Sequence, residues 1–290
     1  MNLNSVLLKF STWRSFATAA WLGWKIESNW TDPFLFAVYS IVKPLAGASI
    51  LVVMYSVITQ GDYTSPVFAY IFIGGCFYQY VAAVMTGVSW AVIDDREHYR
   101  TLKYIYTAPV RPPFYLMGRA VARFITASFA VLITLLVGVL FLHLPLDLAH
   151  VNWLNFTLGM ILGVSMLAMM GLLLAGITMN LARHSDYLGE AVAGALYLFS
   201  GAIFPMDVLP AFLRPVGYAM PMLYWLELVR RSLVPQVAGV YPTLAGVSDG
   251  QLILILLGLT ILFGVVGFGT YRWFDQHARE NGMIDKVTNY

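Results

Sequence analysis

The sequence contains six apolar stretches, most of them long enough to cross a lipid bilayer as a helix. A bilayer core about 30 Å thick needs roughly 20 helical residues. Only 11% of the 290 residues are charged, against about 25% in a soluble domain, and 59% are hydrophobic. The sequence therefore predicts an all-α polytopic membrane protein with six transmembrane helices, at residues 34–59, 66–93, 114–142, 154–180, 187–204 and 252–273.

A charged segment, residues 93–119, separates the second and third of these stretches. Such a density of charge has to lie in water, so the segment is predicted to be a solvent-facing loop. Residues 94–108 lack Gly and Pro and precede Pro109, which predicts a short helix. Tyr99, Leu102 and Tyr106 share one face of it and three cations share another. Two interpretations follow: a solvated helix that sets topology and contacts lipid head groups, or a docking element.

The distribution of Lys and Arg predicts the orientation. If both termini are cytosolic, the inner segments hold eleven of these cations and the outer segments only three. Cytosolic loops carry an excess of Lys and Arg, so the termini and the charged loop are predicted to be cytosolic. Residues 10–30 contain four Trp in an amphipathic pattern and predict an interfacial helix, with a soluble partner helix as the alternative. The net charge of +2 does not indicate nucleic-acid binding.

Lys43 is the one ionisable residue deep in the first predicted span. A charged group at that depth is costly, and by default it marks a functional site. Lys43 either lines the pathway of an anionic substrate or extends its ammonium group to the cytosolic surface. His143 and His150 beside Asp147 are weak evidence for a metal, and no catalytic constellation is evident.

Residues 205–234 are too rich in Pro to span the bilayer and too apolar to form a free loop. This composition predicts re-entrant or surface-lying short helices packed against protein. Glu227 and Arg230 lie one turn apart within this segment, where they either form an internal ion pair or act as an outer gate that moves when substrate leaves.

Two motifs resemble those of ABC-2 type permeases, the membrane subunits of one class of ATP-binding-cassette transporter. The first is Glu97-x-x-x-Thr101-Leu102 followed by Thr107-x-Pro109, and the second is Tyr224-x-x-Glu227-x-x-Arg230 after several prolines. In that family the first motif carries a coupling helix that rests in a groove of the ATPase. The chain departs from the family pattern at two positions. The family usually has Gly immediately before the Thr-Leu pair, where this chain has Arg100, and Glu immediately after the pair, where it has Lys103. The resemblance assigns ATPase docking to Arg96, Glu97, Tyr99, Arg100, Thr101, Leu102, Lys103 and Tyr106.

The resemblance also implies a function. These permeases work as pairs beneath two ATPase subunits in the bacterial cytoplasmic membrane, where they export amphiphiles such as lipids, lipid-linked glycans and hydrophobic drugs by alternating access. The sequence has no Gly-x-x-x-x-Gly-Lys-Ser/Thr phosphate loop, so ATP and Mg²⁺ are expected on the partner, and this chain is not expected to be an enzyme. The alternatives are a gradient-driven transporter or channel that uses Lys43, and a membrane-embedded lipid-modifying enzyme.

Overall fold

The computed structural model describes residues 3–29, 32–59, 63, 65–181, 185–238 and 240–284, and every regular element in these ranges is helical. Ten helices are named here in chain order. They are α1 (Leu3–Asn29), α2 (Pro33–Thr59), α3 (Pro66–His98), α4 (Leu102–Thr107), α5 (Pro112–Leu142), α6 (Trp153–Asn180), α7 (Ser185–Phe199), α8 (Arg214–Ala219), α9 (Pro221–Leu233) and α10 (Asp249–Glu280). Short 3₁₀ turns at Met206–Val208 and Pro235–Val237 flank α8 and α9.

Within the described ranges, four helices are long and apolar enough to cross a membrane: α3, α5, α6 and α10. The other two predicted spans have shorter apolar parts, Pro44–Val57 within α2 and Tyr187–Phe199 within α7. Helix α7 ends five residues before the predicted boundary because the chain turns at Gly201, whose φ of 71° is left-handed. Helix length therefore supports a membrane protein with four candidate spans, and does not by itself establish six.

Helix α3 is the central element of the bundle, with two wide π-helical turns at Val81–Met85 and Asp94–His98. Its apolar part is 67% buried, whereas that of α10 is only 17% buried. Helix α6 packs along α10 on one face and against α3 on another. At the α3 contact, a Cβ on Gly171 would lie 2.6 Å from the carbonyl oxygen of Met85. The small residues of α6 are thus used for packing inside the chain.

Helix α1 packs mainly on α5. The contact is made by small residues, because Ser15, Ala19 and Gly23 are buried and a Cβ on Gly118 would lie 2.4 Å from the carbonyl oxygen of Phe16. Trp13, by contrast, is 66% exposed. The Trp-rich face predicted from the sequence therefore points away from α5.

Residues 205–234 form short helices, as their composition predicts. Helix α9 is buried along nearly its whole length, against α6, α10 and the first turns of α3. Trp225 is fully buried, and a Cβ on Gly163 of α6 would lie 2.1 Å from its indole nitrogen. This segment closes the end of the bundle opposite α4.

Candidate functional site

The charged segment between α3 and α5 forms two pieces where the sequence predicted one helix over residues 94–108. Helix α3 continues through the wide turn Asp94–His98, and α4 begins at Leu102. Between them Arg100 has a φ of 52°, in the left-handed region. The N–H of Thr101 donates to the carbonyl of Asp95 at 2.8 Å and closes this turn. The left-handed residue interrupts the helix and turns α4 away from the axis of α3.

The outward side of this segment is cationic and aromatic. Tyr99, Arg100, Lys103 and Tyr104 are exposed, and we call these four residues the docking face. The Lys103 ammonium lies 5.4 Å from the centre of the Tyr104 ring. Leu102 is buried on the opposite side, and Thr101 and Tyr106 are half-buried. Of the eight residues that the resemblance assigns to docking, the structure thus exposes three.

Arg96 and Glu97 are buried behind the docking face. Their side chains form an ion pair at 2.7 Å. The Arg96 guanidinium also donates to the carbonyl oxygens of Thr178, Met179 and Leu181 at 3.3–3.4 Å. These carbonyls belong to the last turn of α6 and to the residue that follows it, where a cation is favoured by the helix dipole. The two residues join α3 to α6, so they are inside the protein and do not form its surface.

Asp95 joins the docking face to α5. Its carboxylate is buried and accepts hydrogen bonds from Tyr115 at 2.9 Å, from Arg119 at 3.3 Å and from Thr101 at 3.3 Å. Arg119 also approaches Asp94, at 3.9 Å. Arg119 of α5 is thus the cation that compensates the two aspartates. No group of three metal-ligating side chains occurs in the described parts of the chain.

Tyr106 joins α4 to α10. Its hydroxyl donates to the carboxylate of Asp275, which also pairs with Arg279 at 3.1 Å. The Arg279 guanidinium lies 4.5 Å from the centre of the Tyr106 ring. Burial, then the neighbouring Tyr271 and Asp275, raise the pKa of Tyr106 well above its ordinary value. The phenol therefore stays protonated and remains a hydrogen-bond donor.

At the opposite end of the bundle, the predicted pair Glu227 and Arg230 is loose. The two side chains approach only to 4.0 Å, whereas Glu227 accepts from Arg231 at 2.8 Å. Arg230 is fully buried and donates to the carbonyls of Tyr70, Gly201 and Ala202 at 2.7–3.1 Å. Its guanidinium lies 3.7 Å from the centre of the Tyr70 ring. Arg230 thus anchors α9 to α3.

Arg231 anchors the other side of α9. It donates to the carbonyls of Leu244 and Val247 at 2.8 and 2.7 Å, just before α10 begins. Asp249, in the first turn of α10, lies 3.6 Å away. The sequence analysis paired Glu227 with Arg230 and missed Arg231. The carbonyl partners of Arg231 leave no pattern in a sequence, although its i,i+4 spacing from Glu227 is such a pattern.

Lys43, the predicted pathway residue, belongs to α2, and its side chain lies outside the described residues. The assignment of Lys43 to the substrate pathway therefore stays a prediction.

Comparison with known proteins gives one finding. A search of curated proteins returns no match. The family model of the ABC-2 type transporter matches residues 15–234, which is more than half of the chain and includes α3, α4 and α9. Membrane domains of this family are permeases, are typically not catalytic, and generally work with an ABC-type ATPase. The chain belongs to the ABC-2 type transporter family.

Proposed function

We propose that this chain is the membrane-spanning subunit of an ATP-driven exporter of amphiphilic substrates, and that α4 docks on a separate ATPase subunit. The observation that supports docking is the two-sided construction of the charged segment. The docking face points outward with two cations and two aromatic rings. The inner side is tied to α5 through Asp95 and to α10 through Tyr106.

A docking element has to be held rigidly if it is to pass motion to the membrane helices. Helix α4 has only six residues, too few to be a stable helix by itself. Buried polar contacts with two long helices fix it instead. A displacement of the docking face therefore acts on α5 and α10 together.

The remainder of the assembly is proposed on the basis of the family and the charge distribution. The permease pairs with a second copy of itself and with two ATPase subunits, which bind ATP and Mg²⁺. Helices α2 and α7, with the segment after α7, complete six crossings, so that both termini and α4 face the cytosol of a bacterial cell. The substrate class is a lipid, a lipid-linked glycan or a hydrophobic drug.

Copurification tests the docking face. The variant Arg100→Glu/Lys103→Glu reverses two exposed charges, and Lys25→Glu/Arg272→Glu reverses two exposed cations outside the docking face. Like charges placed against a complementary surface cost about 2 kcal/mol or more, or roughly 30-fold in affinity. The first variant should lose the ATPase during purification and lose export, while the second keeps both.

Two results would contradict the proposal. One is an ATPase that stays bound to Arg100→Glu/Lys103→Glu as firmly as to the wild type. The other is substrate transport by the purified permease alone in liposomes, driven by an ion gradient. The latter result would favour the gradient-driven alternative, in which Lys43→Met should reduce transport and leave assembly intact.

We also propose that α9 acts as an outer gate. Support comes from its position at the end of the bundle opposite α4, where Arg230 ties it to α3 and Arg231 ties it to the start of α10. Crosslinking α9 across the permease dimer should stop export while ATPase binding continues. Export that persists with α9 locked would exclude a gate.

A further inference from the structure

An apolar groove of about 940 Å³ lies between α1, α5, α6 and α10. Its α5 wall is formed by side chains at positions 114, 117, 120, 121 and 124, which share one helix face over about 15 Å. Phe268 of α10 lies across from this wall, with its ring centre 5.9 Å from that of Phe114. Helix α6 contributes Ala168 and Met169, and α1 contributes Trp13 and Phe16. Three of the four helices are candidate membrane spans, so the groove belongs to the part of the protein that contacts lipid.

One end of the groove is cationic. Arg111, the residue that precedes α5, lines it together with Thr12 of α1. The Arg111 side chain is exposed, and among the described residues no carboxylate oxygen lies within the 4.0 Å of a salt bridge to it. Arg119 and Arg123, farther along α5, both have carboxylate partners. The cationic end adjoins α4, in a segment whose charge places it outside the hydrocarbon layer.

We propose that this groove binds one anionic membrane phospholipid, with the phosphate at Arg111 and an acyl chain along α5. The charge and the shape both point to this ligand. Arg111 supplies an uncompensated cation at the level where lipid head groups lie, and anionic lipids are attracted to such residues. Behind it the walls are almost entirely apolar, with Ser165 the one polar side chain of α6 among them. A free phosphate or a nucleotide has no acyl chain, so it would not contact the apolar walls of the groove.

The lipid also explains why aromatic side chains of α1 line the groove. The small residues of α1 contact α5, while Trp13 and Phe16 line the groove, with their rings stacked at 5.6 Å. A bound acyl chain fills the space between these rings and α6, so it adds to the contacts that α1 already makes with α5. The site does not depend on transport, and it would persist if the proposed docking of an ATPase were wrong.

Native mass spectrometry of the delipidated, detergent-purified protein tests the site. The probes are phosphatidylglycerol and phosphatidylcholine of equal chain length. One phosphatidylglycerol should be retained per chain, with a preference over phosphatidylcholine of about fivefold, the effect of one Arg near an anionic head group. Arg111→Gln should abolish the preference and keep lipid bound, whereas Arg272→Gln, which removes an exposed cation outside the groove, should behave as wild type.

Variants that fill the groove distinguish lipid bound in the groove from lipid retained nonspecifically around the protein. Ser165→Phe places a ring in the groove and should abolish retention of both lipids, with Val121→Trp as a second blocking variant if the first does not fold. Equal retention of the two lipids by the wild type would overturn the proposal. So would a preference that survives Arg111→Gln, lipid retained by a folded blocking variant, or displacement of the lipid by inorganic phosphate.

Discussion

Replacing Asp95 by Asn should destabilise the protein strongly, although the change removes only a charge. The Asp95 carboxylate is the acceptor for Tyr115, Arg119 and Thr101, and it is 2% exposed. In Asp95→Asn the buried Arg119 guanidinium keeps the Tyr115 hydroxyl at 3.1 Å, but among the described residues its remaining carboxylate partner is Asp94, at 3.9 Å. Removing one charge of a buried ion pair lowers the free energy of unfolding by about 3–5 kcal/mol, because the remaining charge is buried without a counter-ion.

Thermal unfolding measures this cost, with Cys76 as the reporter. Cys76 is the only cysteine of the chain and is buried, so a thiol-reactive fluorophore labels it when the bundle opens. At about 2–4 °C per kcal/mol for a chain of this size class, the transition of Asp95→Asn should fall by roughly 10 °C. The matched control is Asp147→Asn, which breaks the exposed pair with His150 and should shift the transition by less than about 2 °C.

A third variant distinguishes the ion pair from the shape of the site. Asp95→Leu/Arg119→Met removes both charges and keeps the volume apolar, so it should recover most of the stability lost in Asp95→Asn. An Asp95→Asn transition within a degree or two of that of Asp147→Asn would refute the role of the buried ion pair. A double variant less stable than Asp95→Asn would refute it as well.

Three further predictions concern other parts of the molecule. Gly74→Ala should destabilise by about 3 kcal/mol, because its Cβ would lie 1.9 Å from the guanidinium of Arg230, whereas Gly258→Ala has open space and should be neutral or stabilising in the same unfolding assay. Arg100→Gly should be more stable than Arg100→Ala by about 1 kcal/mol and should unfold at a higher temperature, because Gly adopts the left-handed φ of this position without steric strain. Equal transition temperatures would contradict this. Burial raises the pKa of Glu27. The folded protein thus binds more protons at Glu27 than the unfolded chain does between the ordinary pKa and the raised one. In intrinsic fluorescence melts, wild-type stability should therefore fall more steeply with rising pH across that window than the stability of Glu27→Gln.

The starts of α3 and α10 depend on local signals in the sequence. Pro66 follows the cap Ser65, whose hydroxyl accepts from the N–H of Val67. Ser248 and Gln251 form a capping box at the start of α10. Such signals lie within three or four residues of the helix start that they mark, whereas α7 and α10 end five and seven residues away from the predicted boundaries.

The contacts that build the candidate site could not be predicted, because they join residues far apart in the chain. Tyr106 meets Asp275 across 169 positions, and Arg230 meets Tyr70 across 160. The break before α4 was missed for a different reason. Left-handed residues are usually Gly, and the permeases that this chain resembles usually have Gly at the position of Arg100. Arg100, the residue that replaces the usual Gly of the family, is therefore the position at which the helix predicted over residues 94–108 divides into two pieces.

Helix α3 links the two ends of the molecule in a single element. Near one end Gly74 lies against Arg230, and near the other Asp95 holds Arg119 and the turn into α4. These two positions are separated by about 30 Å of helix axis. Both ends are held by buried charged side chains, so α3 connects the proposed docking face with the proposed gate. The wide turn at Val81–Met85 interrupts the regular hydrogen bonding between them, and helices bend most readily at such turns. Motion of α4 should therefore reach α9 as a bend of α3 at this turn.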